Sequence, residues 1–404
     1  ISYRNAAHIG AAHGGTGKRS PSQTQMPMSP HIACPRRLLL LVLSLAYTAM
    51  AGHAEESLIP GQVVIQRKHG VSRQRIENLV RSHGATPLRE IPALRFHTLR
   101  VPERALPKVL EALRKHPDVG LASEDAVARV TLSPNDPLAK YEWHLGRIQA
   151  YAAWELNTGS EEVTVAVLDT GVDSTHGELQ GKVLPGWDFI ENDSDPSDNH
   201  GHGTAVAGVI AASTNNLDGI AGISWGSPVL PVRVLGNDGR GPVSGIAEGI
   251  VYAADNGARI INLSLGGEAG KDIYQQAIEY AWSKGCIIVA AAGNDASNVP
   301  HYPAACTHTV AVSATTPSDQ PAAFSNYGAF VDISAPGTTI YTVHPDNGYW
   351  YISGTSFSCP ITAGVLALML STQPNLNNAQ AVELLLKQSD DLGPIGYDER
   401  FGHG

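Results

Sequence analysis

Three short segments place an acid, an imidazole and a hydroxyl among small residues. Asp169 ends an apolar run and precedes Thr-Gly, His202 lies in Gly-His-Gly-Thr, and Ser356 follows Gly-Thr. Amide hydrolysis by a serine needs a hydroxyl nucleophile, an imidazole that takes its proton, and a carboxylate that fixes the imidazole tautomer. Singly, each residue is explained by a turn or a helix cap. Together, in the chain order Asp, His, Ser, they predict a catalytic triad.

A fourth group follows a predicted buried strand. Residues 290–294 are Ala-Ala-Ala-Gly-Asn, so this run of small residues ends in the amide of Asn294. During amide cleavage the carbonyl oxygen becomes negatively charged, and an N–H group fixed beside it lowers the barrier. A turn asparagine is the simpler explanation for such a residue alone. In company with the other three groups, Asn294 is predicted to donate to the oxyanion.

The segments around Asp169, His202 and Ser356, in this order, resemble the signatures of the subtilisin family of serine proteases. The resemblance runs from about residue 134 onward, and the start of that region, with its Asn-Asp-Pro, is most similar to the thermitase-type branch. It implies an endopeptidase that forms an acyl-enzyme on Ser356. Asn294 and the backbone N–H of the serine would then form the oxyanion hole.

The peptide substrate is expected to lie extended along strand edges, because a protease of broad specificity must bind main chain. The resemblance implies that residues 236–241 flank the substrate and that two segments form the walls of the specificity pocket. These wall residues are Ser264, Leu265 and Gly266 on one side and Ala291, Ala292 and Gly293 on the other. Small walls favour an apolar side chain before the scissile bond, and His301 is expected at the pocket base.

The resemblance also implies structural calcium. Asp136, Glu178 and Asn216 correspond to its side-chain ligands, with backbone carbonyls near residues 213, 218 and 220. Carboxylate, amide and carbonyl oxygens suit this hard cation. A second acidic run before His202 is a further candidate calcium site, although acidic runs are usually solvated loops. Its members are Asp188, Glu191, Asp193, Asp195 and Asp198.

The elements that must position these residues alternate between strands and helices. Apolar runs of strand length cover residues 163–168, 229–235, 259–265 and 286–292, and helical patterns cover 243–256 and 271–284. This alternation predicts an α/β, subtilisin-like three-layer fold with a mostly parallel sheet, in which active sites lie at the carboxyl ends of strands. We expect a catalytic domain over residues 133–404.

A smaller unit precedes this domain. Strand and helix patterns over residues 57–130, with a strand expected at 88–94, give a βαββαβ order that predicts a ferredoxin-like α+β fold. We interpret residues 55–132 as a propeptide that assists folding and inhibits its own protease. Its tail, residues 127–132, would fill the active-site groove, with self-cleavage between residues 130 and 135. An independent accessory domain is the alternative.

An export signal is predicted ahead of this unit. Arg36-Arg37, a leucine-rich run and Ala49-Met50-Ala51 fit a signal peptide over residues 28–54, so we expect secretion and no membrane attachment after processing. Residues 1–27 are expected to be untranslated or disordered, and both termini to be truncated. The net charge of −10 argues against nucleic acid as a partner. Protein or peptide substrates and a monomeric state are expected.

Three cysteines remain after processing: Cys286, Cys306 and Cys359. A bridge between Cys286 and Cys306 is one option and free thiols are the other, because sequence does not give the necessary geometry. Cys359 lies one turn beyond Ser356, so we expect sensitivity to mercurials.

Two other functions fit parts of this pattern. A selective processing protease would need acidic pocket walls to bind Arg or Lys, and the predicted walls are small and neutral. A catalytically silent binding protein would not need all four chemical groups. A degradative endopeptidase accounts for every group.

Overall fold

The computed structural model describes residues 58–127 and 133–404. The predictions for residues 1–57, including the signal peptide, and for residues 128–132, which form most of the predicted inhibitory tail, lie outside the described residues. The chain divides into two compact units, with the boundary at residues 129 and 130. Each unit is described by itself.

The first unit is a four-stranded antiparallel sheet with two helices. Its elements are β1 (Leu58–Arg67), α1 (Arg73–Ser82), β2 (Thr86–Ile91), β3 (Phe96–Arg100), α2 (Leu106–Lys115) and β4 (Val119–Ala126). The sheet order is β2-β3-β1-β4. Val63 and Ile65 alternate inward from β1 and join Ile76 of α1 and Leu113 of α2 in one core. The predicted ferredoxin-like order is confirmed.

Strand β2 lies two residues earlier than predicted at its start and ends three residues sooner. It begins at Thr86 and stops at Ile91, because Pro92 opens a short 3-10 turn. Proline has no N–H group to donate to a sheet ladder, so the strand does not continue through it.

The second unit is built on seven parallel strands. They are β5 (Val165–Asp169), β6 (Trp187–Asp188), β7 (Val229–Arg233), β8 (Ile260–Leu263), β9 (Ile287–Ala291), β10 (Thr309–Thr315) and β11 (Ile333–Pro336). Their order is β11-β10-β9-β8-β5-β7-β6, and every neighbouring pair is parallel. A separate hairpin joins β12 (Ile340–His344) and β13 (Gly348–Ile352).

Seven helices accompany this sheet. They are α3 (Trp143–Arg147), α4 (Ala150–Trp154), α5 (His202–Ala211), α6 (Val243–Asp255), α7 (Lys271–Ser283), α8 (Thr355–Thr372) and α9 (Asn378–Gln388). The predicted strands and helices occur where expected, each within about three residues of its predicted ends.

Helices cover both faces of the sheet. On the central strand β5, Val165 and Val167 face a core that includes residues of α5 and α8. Ala166 and Leu168 face a second core that includes residues of α6 and α7. A strand buried on both faces must be apolar throughout, as β5 is up to Asp169. The three-layer α/β architecture is confirmed.

Helix α8 is apolar because it belongs to the core. In the part of the chain that the structure describes, it alone has the length and apolarity of a membrane span, with a mean hydropathy of 1.4. Of that span 72% is buried inside the protein, which is typical of a core helix.

Candidate active site

The acid and the imidazole meet at the carboxyl end of the central strand. Asp169 is the last residue of β5 and is fully buried, while His202 is the first residue of α5. The Nδ1 of His202 lies 2.7 Å from the Oδ1 of Asp169. The same Oδ1 accepts a hydrogen bond from the backbone N–H of Thr170. The carboxylate is therefore held in place and fixes the imidazole tautomer.

Glycine allows the helix to approach the strand this closely. A Cβ atom at Gly203 would lie 2.1 Å from the carbonyl oxygen of Gly171 and 3.0 Å from the Cβ of Asp169. Any side chain at residue 203 would push α5, and His202 with it, away from β5. The Gly-Thr that follows the histidine thus has a steric function.

Asp198 ties the acid and histidine segments together. Its Oδ1 accepts from the hydroxyl of Thr170, which follows Asp169, and its Oδ2 accepts from the hydroxyl of Thr204, two residues after His202. Burial alone would raise the pKa of Asp198, but these and three backbone N–H donors hold that pKa below its ordinary value. Sequence analysis had assigned Asp198 to an acidic calcium-binding run.

Two opposing effects set the pKa of His202. Burial by itself lowers it, because the imidazolium loses solvation, but the charge of Asp169 and the hydrogen bond to it raise it by more. The net pKa of His202 lies above that of an ordinary histidine. The higher pKa means that the imidazole of His202 binds a proton more tightly than an ordinary histidine does, which suits a proton acceptor.

The hydroxyl lies at the start of the core helix. Ser356 is the second residue of α8, after Gly354 at the helix N-cap. Its Oγ donates to the carbonyl oxygen of Ser264, 3.2 Å away, and within the described residues it makes no hydrogen bond to His202. The ring of Phe357 packs edge-on against the imidazole of His202, with 5.6 Å between the ring centroids. Ser356 thus directly precedes a residue that packs on the imidazole, while its own hydroxyl donates to another acceptor.

Asn294 lies beside the nucleophile. It follows β9, and its Oδ1 accepts from both the backbone N–H and the hydroxyl of Thr355, at 2.9 and 3.0 Å. A Cβ placed on Gly354 would be 3.7 Å from the Asn294 side-chain amide. Because the oxygen is engaged by Thr355, the amide N–H groups are the part of this side chain available to another partner.

The two predicted pocket walls lie side by side. Strands β8 and β9 are paired, with Leu263 opposite Ala290, so the segments that follow them leave the sheet together. A Cβ at Gly266 would lie 2.6 Å from the Nε2 of His301, and one at Gly293 would lie 3.1 Å from its Cγ. The imidazole of His301 therefore lies against a glycine of each wall.

The first predicted calcium site is built around one loop. Asp136 accepts from the backbone N–H groups of Asn215 and Asn216, and Glu178 accepts from that of Ile220. Both carboxylates are buried, and the Oε2 of Glu178 has no hydrogen-bond partner among the described residues. Burial raises the pKa of Glu178 to about 7. A buried carboxyl with an unmatched oxygen is satisfied either by a proton or by a cation, and carboxylate, amide and carbonyl oxygens are the donors that a hard cation prefers.

Sequence analysis missed a third carboxylate here. Glu142 is buried and its Oε2 accepts from the N–H of Ala221, while its Oε1 lacks a hydrogen-bond partner within the described residues. The pKa of Glu142 is raised well above its usual range, mainly by burial and also by the negative charges of Glu178 and Asp136. The sequence signal that could have identified Glu142 is its acidic side chain, six residues after Asp136 and directly before Trp143.

The second predicted calcium site is not supported. Asp188 forms a buried ion pair with Arg233, at 2.5 Å between Oδ2 and Nη1, and its Oδ1 accepts from two local N–H groups. Asp193 and Asp198 likewise bind backbone amides. Neither this run nor any other part of the described residues brings three His, Cys, Asp or Glu side chains into one group able to hold a metal, so the first site would depend on amide and backbone oxygens as well. The carboxylates of this run have different partners and do not converge.

The structure shows whether the three cysteines form a disulfide bridge. Cys286, Cys306 and Cys359 are free, buried thiols, so the optional bridge between Cys286 and Cys306 is absent. Their thiol groups donate instead to separate acceptors, the carbonyl of Ala258 for Cys286 and the amide oxygen of Asn262 for Cys359. Burial raises the pKa of the Cys359 thiol, so the predicted reactivity towards mercurials is opposed by the structure.

Comparison with known proteins matches both units to described families. Residues 160–404 match the model of the subtilase family, and residues 46–124 match that of the fervidolysin N-terminal prodomain. The second match begins inside the segment that we predicted as signal peptide.

Individual relatives agree with these matches. The chain is 40% identical to a thermophilic serine proteinase of Bacillus sp. (strain AK1), over 87% of each protein. It is 46% identical to thermitase of Thermoactinomyces vulgaris, over 62% of this chain and 89% of thermitase.

Solved structures give the same result. A protease from Pseudoalteromonas arctica PAMC 21717 is 34% identical with a TM-score of 0.61, covering 64% of this chain and 93% of the protease. Sphericase is 31% identical with a TM-score of 0.59, covering 63% of this chain and 96% of sphericase. The chain therefore belongs to the subtilase family of serine proteases and carries an N-terminal prodomain ahead of its protease domain.

Proposed function

We propose that the chain is the precursor of a secreted, calcium-stabilised endopeptidase whose catalytic triad is Asp169, His202 and Ser356. The observation that carries this proposal is the 2.7 Å contact between His202 Nδ1 and Asp169 Oδ1 at the end of β5, near the first turn of α8, which carries Ser356. With Nδ1 bound to the acid, the Nε2 of His202 is the nitrogen free to accept a proton.

The acylation step follows from these positions. The Ser356 hydroxyl leaves the carbonyl of Ser264, its proton passes to Nε2 of His202, and its oxygen forms a bond to the scissile carbonyl carbon. The negative charge of Asp169 stabilises the imidazolium that results. His202 then gives the proton to the leaving amine, the C–N bond breaks, and water hydrolyses the acyl-enzyme by the same route.

The oxyanion of this intermediate is stabilised by Asn294 and by the backbone N–H of Ser356. Thr355 occupies the Asn294 oxygen, which leaves the amide N–H groups to donate to the oxyanion. The N-terminal end of α8 adds a favourable dipole. Asn294→Ala should lower kcat by about 10²–10³-fold, the loss seen when the corresponding donor is removed from subtilisin.

The substrate lies extended between the two pocket walls. Ser264, Leu265 and Gly266 would form one wall, and Ala291, Ala292 and Gly293 the other. The small side chains of the two walls favour an apolar residue before the scissile bond, and the His301 ring, which lies against Gly266 and Gly293, limits its size. No acidic side chain lies in either wall, so we propose broad cleavage and not selective processing at Arg or Lys.

Calcium would be held by Asp136, Glu178 and Asn216 with carbonyl oxygens of the loop at residues 213–220. Bound there, it would supply the positive charge that the buried carboxylates lack, and so stabilise the fold. Asp188 and Asp193 are not part of this proposal.

We further propose that residues 28–54 direct export and that the prodomain, residues 55–132, is an intramolecular inhibitor removed by Ser356. A relative that is 38% identical over 70% of this chain is an extracellular protease of Xanthomonas campestris, which supports secretion, and the match to a prodomain model supports a zymogen. The catalytic domain would then be residues 133–404, acting on protein or peptide substrates as a monomer.

Active-site labelling tests the central proposal. A fluorophosphonate probe should label the mature enzyme at Ser356 and abolish its hydrolysis of a peptide p-nitroanilide. The Ser356→Ala variant should take up no probe. Labelling elsewhere, or peptidase activity that survives in the variant, would be incompatible with Ser356 as nucleophile.

A further inference from the structure

A polar residue interrupts an otherwise apolar strand beneath the nucleophile. Asn262 lies in β8 between isoleucines and Leu263, and it is completely buried. It pairs in register with Val167 on one side and Val289 on the other, and both valines belong to the core that includes α8. Burying an amide there is costly unless each polar atom finds a partner.

The partners of Asn262 lead to Ser356. Its Nδ2 donates to the hydroxyl of Ser264 at 2.9 Å, and its Oδ1 accepts from the thiol of Cys359 at 3.1 Å. The hydroxyl of Ser264 in turn lies 2.8 Å from the backbone carbonyl oxygen of Ser356. Four residues from two elements and one loop are thus linked by a continuous series of hydrogen bonds.

The direction of these bonds is determined by their last acceptor. The carbonyl of Ser356 can only accept, so the single proton of the Ser264 hydroxyl must point towards it. Ser264 must therefore accept from Asn262, which places the amide nitrogen on that side and the amide oxygen towards Cys359. An amide oxygen only accepts, so the Cys359 thiol is the donor. Only one arrangement of protons satisfies the whole series.

Ser264 holds the nucleophile in two ways. Its side chain binds the carbonyl of Ser356, and its own carbonyl accepts the Ser356 hydroxyl at 3.2 Å. Catalysis must break the second bond, because the hydroxyl has to turn towards His202. The first bond does not involve the reacting hydroxyl, so it is able to hold the Ser356 main chain while the hydroxyl changes acceptor.

We propose that Cys359, Asn262 and Ser264 form a directional hydrogen-bond series that positions Ser356 for attack, with Asn262 and Cys359 as positioning residues. This inference rests on the proposed function of Ser356. It assigns a role in turnover to two buried side chains that contact neither the substrate nor the triad acid. It also makes the pocket wall at Ser264 and the nucleophile one connected unit.

Cys359 provides the sharpest test, because a matched pair of variants separates hydrogen bonding from packing. Cys359→Ala removes the donor to Asn262, and Cys359→Ser keeps a donor of similar size. In the enzyme matured from the full chain, Cys359→Ala should lower kcat about threefold to tenfold with KM unchanged. Cys359→Ser should restore kcat. Cys286→Ala, another buried thiol outside the series, is the control and should leave kcat unchanged.

Asn262 gives an independent measurement. Asn262→Ala should lower kcat by about 10- to 100-fold, because small displacements of a nucleophile are costly. The double variant Asn262→Ala/Cys359→Ala should lose clearly less than the product of the two single losses, since the thiol and the amide hold the same carbonyl of Ser356 through Ser264. Additive losses would contradict the series. If Asn262→Ala does not fold, the Cys359 pair still decides.

The possible results separate this inference from the proposed function. If the wild-type enzyme does not react with a fluorophosphonate, both ideas fail. If it reacts, and Cys359→Ala keeps wild-type kcat or Cys359→Ser is as slow as Cys359→Ala, only the positioning role is overturned. Melting temperatures measured alongside identify a loss of folded protein, which lowers the active-site titre and not the kcat per titrated site.

Discussion

At the scale of single residues, the site depends on buried charge that is compensated to different degrees, since the Oδ2 of Asp169 has no hydrogen-bond partner among the described residues. Asp169 is buried at the end of an apolar strand, where an isolated carboxylate is costly, yet it is bound by His202 and a backbone N–H. Asp198 is buried beside it and has five donors. The two acids have different roles: one faces the imidazole, and the other joins the loops that carry both groups.

Removing any member of the triad should nearly abolish turnover. Ser356→Ala, His202→Ala and Asp169→Ala should each lower kcat by ~10³ or more, and the losses should not add in combined variants, because the three groups act as a unit. Amidase turnover of folded, mature enzyme is the measurement. A rate close to wild type in any of the three would exclude that residue from the triad.

The pH dependence of turnover should report the pKa of His202. Protonated His202 cannot accept from Ser356, so activity falls as pH drops below this pKa. Asp169 raises the pKa, which places the acid-side loss at a higher pH than for an ordinary histidine. Asp169→Asn should move the inflection of kcat/KM to lower pH and slow the reaction by about 10³–10⁴-fold. An unmoved inflection would show that another group titrates.

At the scale of elements, parallel strands bring distant segments to one edge. The carboxyl ends of β5, β8 and β9 lead to Asp169, Ser264 and Asn294, while α5 and α8 begin at the same edge with His202 and Ser356 nearby. Helix starts supply N–H groups and a positive dipole there, and strand ends supply side chains. Loop 213–221 is a second such meeting point, for buried carboxylates.

The ion pair between β6 and β7 should be a calcium-independent source of stability. Asp188→Ala leaves Arg233 buried without its charged partner, which should cost roughly 3–5 kcal/mol of unfolding free energy. The loss should be equal in calcium and in EDTA, measured by chemical denaturation. A loss seen only in calcium would restore Asp188 as a metal ligand.

Loop 213–221 should behave in the opposite way. Excess EDTA should lower the melting temperature by roughly 5–10 °C while leaving the initial rate of peptide hydrolysis nearly unchanged, because calcium stabilises the folded state by mass action. Asp136→Ala should have the lower melting temperature already and respond little to EDTA. Glu162→Ala is the control variant, because it removes one acidic side chain from an exposed position. Its melting temperature should respond to EDTA as that of the wild type does. Identical melting curves with and without EDTA would remove the calcium proposal.

At the scale of the whole molecule, the chain joins a small ferredoxin-like unit to a protease. The first unit has its own core around Val63, Ile65 and Leu99, so it has the means to fold as a separate unit. A separate, foldable unit ahead of a protease is what an inhibitor and folding aid requires. The match to a prodomain model supports that role.

The whole-molecule prediction concerns maturation. Wild-type precursor should lose the prodomain, with the new N-terminus between residues 130 and 135, whereas Ser356→Ala precursor should keep it. Intact masses after secretion or refolding give the comparison. The wild-type precursor should process itself without added mature enzyme. The isolated prodomain should inhibit the peptidase activity of the mature enzyme. Equal processing of both precursors would favour an independent accessory domain.

The sequence alone predicted the fold class and four of the seven strands of the sheet, and it singled out the four chemical groups proposed for the site. Strand β5 could be predicted because a strand buried on both faces must be apolar throughout, and Asp169 stands out at its end. The segment of His202 was recognisable by its flanking glycines, and at Gly203 the close approach of the main chain of Gly171 tolerates no side chain. Patterns of this kind involve residues that are consecutive in the chain, so they can be identified from the sequence.

Only the tertiary structure decided how side chains far apart in sequence are paired. Asp188 resembled a calcium ligand until Arg233, 45 residues later, was found beside it. Glu142 was overlooked because its partners are on loop 213–221, and the role of Asn262 depends on Cys359, 97 residues away. Whether a buried charge is matched by an arginine, an amide or a metal depends on distances of a few ångströms, because electrostatic and hydrogen-bond energies fall steeply with separation.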